Sequence, residues 1–138
     1  MRATTNDPVD WFALGSWFQR SGAVMDDLSA CADQSQALVE GAAATDPSVL
    51  GAFETGTRRA AAWFALQPCP ELWVRDFTAG IVDVLGDIAE LAKSVEPAPS
   101  VSHDRFVAKV VRARLMIREL RSIGDRLHVY AGLDPQMA

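Results

Sequence analysis

Apolar residues recur every three or four positions through most of this 138-residue chain, and proline-containing stretches interrupt the pattern. That spacing places apolar side chains on one face of an α-helix. The chain lacks the alternation of apolar and polar residues, bounded by turn pairs, that is typical of a half-buried strand. The sequence therefore predicts an all-α protein without a sheet.

Four helices are predicted between the interruptions. Their expected spans are 7–40, 47–66, 70–95 and 102–131. Asp7-Pro8 and Asp46-Pro47 precede the first two helices, and an Asp N-cap followed by proline is a helix-start signal. Glycine weakens the first helix and allows a kink near Ser21-Gly22. Because short connections favour antiparallel neighbours, we expect a single domain, 1–138, folded as an antiparallel four-helix bundle with up-down-up-down topology and a long first helix.

The charges are distributed unevenly along the chain. The formal net charge is −5, but residues 1–98 carry −8 and residues 99–138 carry +3. Such an asymmetry can mark a nucleic-acid surface, and it equally fits a basic last helix that pairs with acidic helices inside one bundle. The overall acidity gives nucleic-acid binding only weak support, so intramolecular pairing is the simpler interpretation.

Arginine supplies most of the positive charge of the last predicted helix. Arg114, Arg118 and Arg121 fall on one side of it, which we call the basic face. The guanidinium group suits bidentate recognition of carboxylate or phosphate. The basic face is therefore the candidate surface for nucleic acid, if nucleic acid is a partner.

The composition indicates a cytoplasmic protein that does not enter a membrane. No long apolar run follows the N-terminus, and none approaches the ~20 residues of a transmembrane helix. Cys31 and Cys69 are too few for a disulfide scaffold, although a single bridge is compatible with this number.

Metal and cofactor sites are not predicted. Neither His103 nor His128 follows a Glu by three positions, as the di-iron sites of helical bundles require. Two isolated cysteines do not have zinc-site spacing, and no glycine-rich phosphate loop or Ser-His-Asp arrangement is visible. We expect no cofactor, and we favour a non-enzymatic role.

Nine of the eleven aromatic residues are predicted to gather at one end of the bundle. The tetrapeptide WFAL opens the first helix at 11–14 and closes the second at 63–66, and these two ends are neighbours in an antiparallel hairpin. The nine residues of this aromatic end are Trp11, Phe12, Trp17, Phe18, Trp63, Phe64, Trp73, Phe77 and Tyr130. Adjacent residues on a helix point about 100° apart, so an adjacent aromatic pair such as Trp11-Phe12 cannot lie fully in one narrow seam.

Exposed aromatic residues at this end would form either a protein interface or an apolar pocket. The favoured function is therefore a small, non-enzymatic interaction module that binds protein, as an adaptor or a subunit of a larger complex. We expect it to form a homo-oligomer through the aromatic end and the long first helix. Binding of a small apolar ligand at the same end is an alternative.

A second alternative comes from the segment RSIGDRLHVYAGLD at 121–134. It resembles the active-site motif of HEPN-type helical ribonucleases, in which an Arg is followed by four to six residues, a His and often a Tyr. Six residues separate Arg121 from His128, and Tyr130 follows. The resemblance implies a small helical bundle that dimerises, in which His128 would act in acid–base chemistry and Arg121 would hold phosphate.

Overall fold

The computed structural model describes residues 9–41 and 46–131, with side chains described as far as residue 127. This part of the chain contains five α-helices and no strand, which confirms the all-α prediction. The helices are α1 (Trp11–Arg20), α2 (Gly22–Val39), α3 (Ser48–Leu66), α4 (Leu72–Ala92) and α5 (Val101–Ala131). Within the same residues, none of these helices is long and apolar enough to cross a membrane.

The single first helix expected over 7–40 is divided into α1 and α2 at Ser21. The Ser21 hydroxyl donates a hydrogen bond to the carbonyl oxygen of Phe18 at 2.7 Å, and its backbone N–H is shared between the carbonyls of Trp17 and Phe18. A serine that bonds back to the preceding turn bends a helix, and the adjacent Gly22 lowers helix propensity further. The described chain thus has one helix more than the predicted four, and the division lies where a kink was allowed.

The start of α1 differs from the prediction. The Asp10 carboxylate accepts a hydrogen bond from the backbone N–H of Ala13 at 3.0 Å, so Asp10 is the N-cap and α1 begins at Trp11. Asp7 and Pro8, on which the predicted start depended, lie outside the described residues. At α3, the Asp46 carboxylate accepts from the backbone N–H of Ser48 at 3.1 Å, close to the predicted start.

The last helix, α5, lies against α1, α2 and α4, while α3 packs against α2 and α4. All five helices contribute to one apolar core. Its largest fully buried side chains include Leu14, Trp17, Leu28, Phe53, Ile81, Leu85, Ile88, Phe106, Val110 and Leu120. This arrangement places the basic last helix beside the two helices of the N-terminal region and beside the acidic α4.

Ion pairs connect α5 with its acidic neighbours. Lys109 Nζ lies 3.1 Å from a carboxylate oxygen of Asp87 on α4, and Arg121 Nη1 lies 3.9 Å from that of Asp26 on α2. Such partly exposed pairs contribute little each, about 0.2–1 kcal/mol. They nevertheless show that part of the charge asymmetry is matched within the chain.

Candidate functional site

Four aromatic side chains from α1 and α3 form a ring cluster. Trp17 is at its centre, with ring centroids 4.9 Å from Phe18, 5.5 Å from Trp63 and 6.1 Å from Phe64. Trp63 and Phe64 contact each other edge to face at 5.7 Å. We call these four residues the aromatic cluster. The two WFAL segments therefore lie near one another, as the antiparallel arrangement predicts.

The five other predicted aromatic residues are placed differently. Trp11 and Trp73 are about half exposed, and Phe12 and Phe77 are half-buried. Ring contacts within the described part of the chain join neither Trp73 nor Phe77 to the aromatic cluster. The side chain of Tyr130 lies outside the described residues. The predicted aromatic end is thus a buried to half-buried cluster, with half-exposed tryptophans at the starts of α1 and α4.

An apolar groove of about 440 Å³ lies between α3 and α4, beside the aromatic cluster. Its apolar surface includes Phe64, Cys69, Leu72, Ala79 and Val82. Arg75, Asp76 and Asp83 form a charged rim along α4. We call this feature the α3–α4 groove. An apolar floor with a charged rim is the usual composition of a protein-binding surface.

Two leucines increase the exposed apolar area at this end of the hairpin. Leu72, which lines the α3–α4 groove, is 61% exposed, and Leu66 at the end of α3 is 79% exposed. Neither was among the sequence-predicted site residues. The available signal was that both are large apolar residues on either side of the proline-containing connection between the predicted second and third helices.

Cys69 belongs to the floor of the groove as a neutral thiol. Burial raises its pKa to about 11, so the thiolate is not populated at neutral pH. Burial also raises the pKa of Cys31, whose Sγ donates to the carbonyl of Phe53 at 3.9 Å. Both cysteines are free thiols rather than a bridge. Their environment is that of inert core residues rather than nucleophiles.

The basic face lies against α2. Arg121 Nη1 donates hydrogen bonds to the Ser29 hydroxyl at 2.8 Å and to the carbonyl of Met25 at 3.1 Å, and Arg114 donates to the Gln36 side chain at 2.8 Å. Two of the three predicted arginines therefore connect α5 to α2.

All three arginines also line a groove of about 410 Å³ between α2 and α5. Asp33 and Asp125 line the same groove and offset part of its positive charge. This balance gives the basic face less attraction for a polyanion than its arginine content alone indicates.

The ribonuclease-like arrangement is described only in part. Arg121 makes the contacts with α2 given above, whereas the side chains of His128 and Tyr130 lie outside the described residues. Their geometry relative to Arg121 stays a prediction. In the described part of the chain, no three His, Cys, Asp or Glu side chains converge as possible metal ligands.

A scan of protein-family models and searches of curated proteins and of solved structures found no match to this chain.

Proposed function

We propose that this protein is a small interaction module that associates with further copies of itself through the α3–α4 groove. The observation that carries the proposal is the exposure of Leu72 beside an apolar surface that includes Phe64 and Val82. A large apolar side chain in water, next to an apolar groove with a charged rim, favours burial against another protein surface.

The distribution of apolar surface supports a protein partner over a small ligand. A small-molecule site encloses its ligand in one concave pocket. Here two further large apolar side chains, Leu66 and Trp73, are exposed outside the groove, on either side of the turn that joins α3 to α4. A protein can cover both the groove and these flanking side chains, and it would thereby remove more apolar area from water.

The arrangement of the helices is part of the proposal. We propose that α1 and α2 act as one bent arm, so that the described helices form an antiparallel bundle of four arms in up-down-up-down order. The one-residue division at Ser21 and the packing of both α1 and α2 against α5 support this interpretation. We further propose a cytoplasmic role as an adaptor or a subunit of a larger complex.

Light scattering coupled to size-exclusion chromatography tests the proposal over a concentration series. We expect the mass of the wild-type protein to rise above the 14.9 kDa of one chain as the concentration increases. Leu72→Glu should remain at the monomer mass, because a buried unpaired carboxylate opposes association. A wild-type mass that stays at 14.9 kDa at every concentration would contradict the proposal.

Ala23→Glu is the matched control. Ala23 is also an exposed apolar residue of a helix, but it does not line the α3–α4 groove. The control should associate like the wild-type protein. Equal loss of association in both variants would assign the effect to added charge rather than to the groove. Far-UV circular dichroism confirms that both variants keep their helices.

A further inference from the structure

The outer side of α5 carries an apolar stripe that the described fold leaves open to solvent. Val111 is 50% exposed and Leu115 is 55% exposed, and the exposed Ala108 precedes them on the same side. Positions i, i+3 and i+7 share one face of a helix, so these three residues form a continuous strip. We call it the α5 stripe. It lies outside the apolar face that α5 contributes to the core.

Positive charge accompanies the α5 stripe. Arg112 lies beside Val111, and Arg105 lies two turns earlier on the same margin of the stripe. Both are exposed, and neither has a hydrogen bond or ion pair to another side chain in the described residues. The acidic neighbour Glu119 already lies 3.7 Å from Arg126. The stripe therefore presents apolar side chains together with arginines whose charge is available to a partner.

The α3–α4 groove has the opposite charge. Its rim carries the carboxylates of Asp76 and Asp83 against the one guanidinium of Arg75. Asp76 and Asp83 are exposed and have no ion pair within the part of the chain that the structure describes. One chain thus holds an apolar groove with a net acidic rim and an apolar helix face with a basic margin.

We infer that the α5 stripe of one copy docks into the α3–α4 groove of a second copy. This inference rests on the proposed function and specifies its geometry. An amphipathic helix that enters a groove anchors itself through residues at i, i+3 or i+4 and i+7, which is the spacing of Ala108, Val111 and Leu115. Leu115 is the largest of these anchors and would meet the surface around Leu72.

The spacing of the charges agrees with this docking. Arg105 and Arg112 are seven residues apart on one side of α5, or about 10 Å along the helix axis, and Asp76 and Asp83 have the same spacing on α4. Two arginines on one margin of the stripe can therefore meet two aspartates at the same time. A pairing of groove with groove would instead place two net acidic rims opposite each other, which is unfavourable.

The two surfaces are different and lie on different helices, so a single contact between one stripe and one groove is heterologous. Each added copy brings one further groove and one further α5 stripe, and the assembly grows as a chain unless its rotation closes a ring. We expect species larger than a dimer as concentration increases. An isologous dimer would stop at two copies.

A complementation experiment tests the docking directly. Leu115→Glu removes the stripe and keeps the groove, whereas Leu72→Glu removes the groove and keeps the stripe. Each variant alone should elute as a monomer. An equimolar mixture should form a dimer and nothing larger, because only one intact stripe and one intact groove can meet. A mixture that remains monomeric overturns the inference.

Charge reversal gives a second test that leaves the apolar anchors unchanged. Asp76→Arg with Asp83→Arg in one variant, and Arg105→Asp with Arg112→Asp in another, should each weaken self-association at least tenfold. All four changes in one chain should restore it. Failure of the combined variant to associate better than either parent overturns the predicted pairing.

The outcomes separate this geometry from the proposed function. One possible result is that the wild-type protein assembles, Leu72→Glu prevents assembly and Leu115→Glu does not. This result would support self-association through the groove and would overturn docking of the α5 stripe. Wild-type protein that is monomeric at every concentration would overturn both. Ala23→Glu, on α2 and outside both the groove and the stripe, should assemble like the wild-type protein throughout.

Discussion

The indole Nε1 of Trp17 donates a hydrogen bond to the backbone carbonyl of Gln67, 2.7 Å away. Gln67 is the residue that follows α3, where helix carbonyls lack partners of their own. The bond therefore joins α1 to the turn between α3 and α4, and this turn leads through Cys69 to Leu72. A fully buried residue of the N-terminal helix thus supports one end of the candidate interface.

Trp17→Phe should lower the free energy of unfolding by about 1–3 kcal/mol, because the carbonyl of Gln67 loses its donor in a partly buried place. Urea denaturation followed by far-UV circular dichroism measures the change. Trp73→Phe is the control, since Trp73 is half exposed, and its effect should stay within about 0.5 kcal/mol. Equal effects of the two substitutions would contradict the structural role of this bond.

Gly124→Ala should destabilise the protein by about 1–3 kcal/mol through steric overlap. A Cβ atom at position 124 would lie 2.9 Å from Cδ1 of Phe18, so the Phe18 ring or the two helices would have to shift. Thermal unfolding measures the loss. Introducing Phe18→Leu into the Gly124→Ala variant should recover part of the stability, because the smaller side chain relieves the overlap.

Gly86→Ala is the corresponding substitution at an open position. Nothing lies within 4 Å of a Cβ atom there, and Gly86 is in the interior of α4. Alanine should stabilise the protein by roughly 0.5–1 kcal/mol through its higher helix propensity. Similar changes at Gly86 and Gly124 would show that propensity, rather than the contact with Phe18, determines the result.

Stability should fall at alkaline pH because of Cys69. Burial raises the pKa of this thiol from 9.0 to about 11, so the unfolded chain loses the proton first as pH rises. The contribution is fully present below pH 9 and is lost as pH approaches 11, which corresponds to about 2 kcal/mol between pH 8.5 and 10.5. Urea unfolding at these two pH values measures it.

Cys69→Ala isolates that contribution, since other groups also titrate in this range. The variant should be less stable at pH 8.5 but should lose less stability than the wild-type protein on going to pH 10.5. The difference between the two losses belongs to the Cys69 thiol. Parallel losses in the two proteins would show that Cys69 does not titrate as its burial requires.

Arg121→Ala should lower the free energy of unfolding by about 1 kcal/mol, because the side chain bonds Ser29 and the carbonyl of Met25 across the α2–α5 contact. Arg118→Ala, on the same basic face, should change this free energy less, and chemical denaturation compares the two variants.

Purified wild-type protein should leave mixed RNA intact. RNA cleavage that His128→Ala abolishes would instead support the ribonuclease alternative.

The helical character of this chain could be predicted because its causes are local. Periodic apolar spacing and proline-containing turns act over a few residues, and the division at Ser21 lies where glycine and serine weaken the helix. The start of α1 was less predictable. Asp7 and Asp10 are both suitable N-caps by residue type, and the structure shows the capping bond at Asp10.

The candidate site was predicted only in part. The sequence indicated that the two WFAL segments meet, and Trp17, Phe18, Trp63 and Phe64 do form one cluster. It did not distinguish Trp17, which is buried, from Trp73, which is half exposed. Both are tryptophans at apolar positions of a predicted helix, so the residue type and the spacing are the same for each.

By itself, the sequence determined the helical character of the chain, the approximate positions of its helices and the asymmetry of charge, because propensity, capping and turn chemistry depend on neighbouring residues along the chain. Only the tertiary structure decided which apolar side chains remain in water. Leu72 and Leu115 are exposed although leucine is usually buried, since each lies on a face that no other described helix covers. Burial depends on contacts between residues far apart in sequence, and those contacts arise from packing.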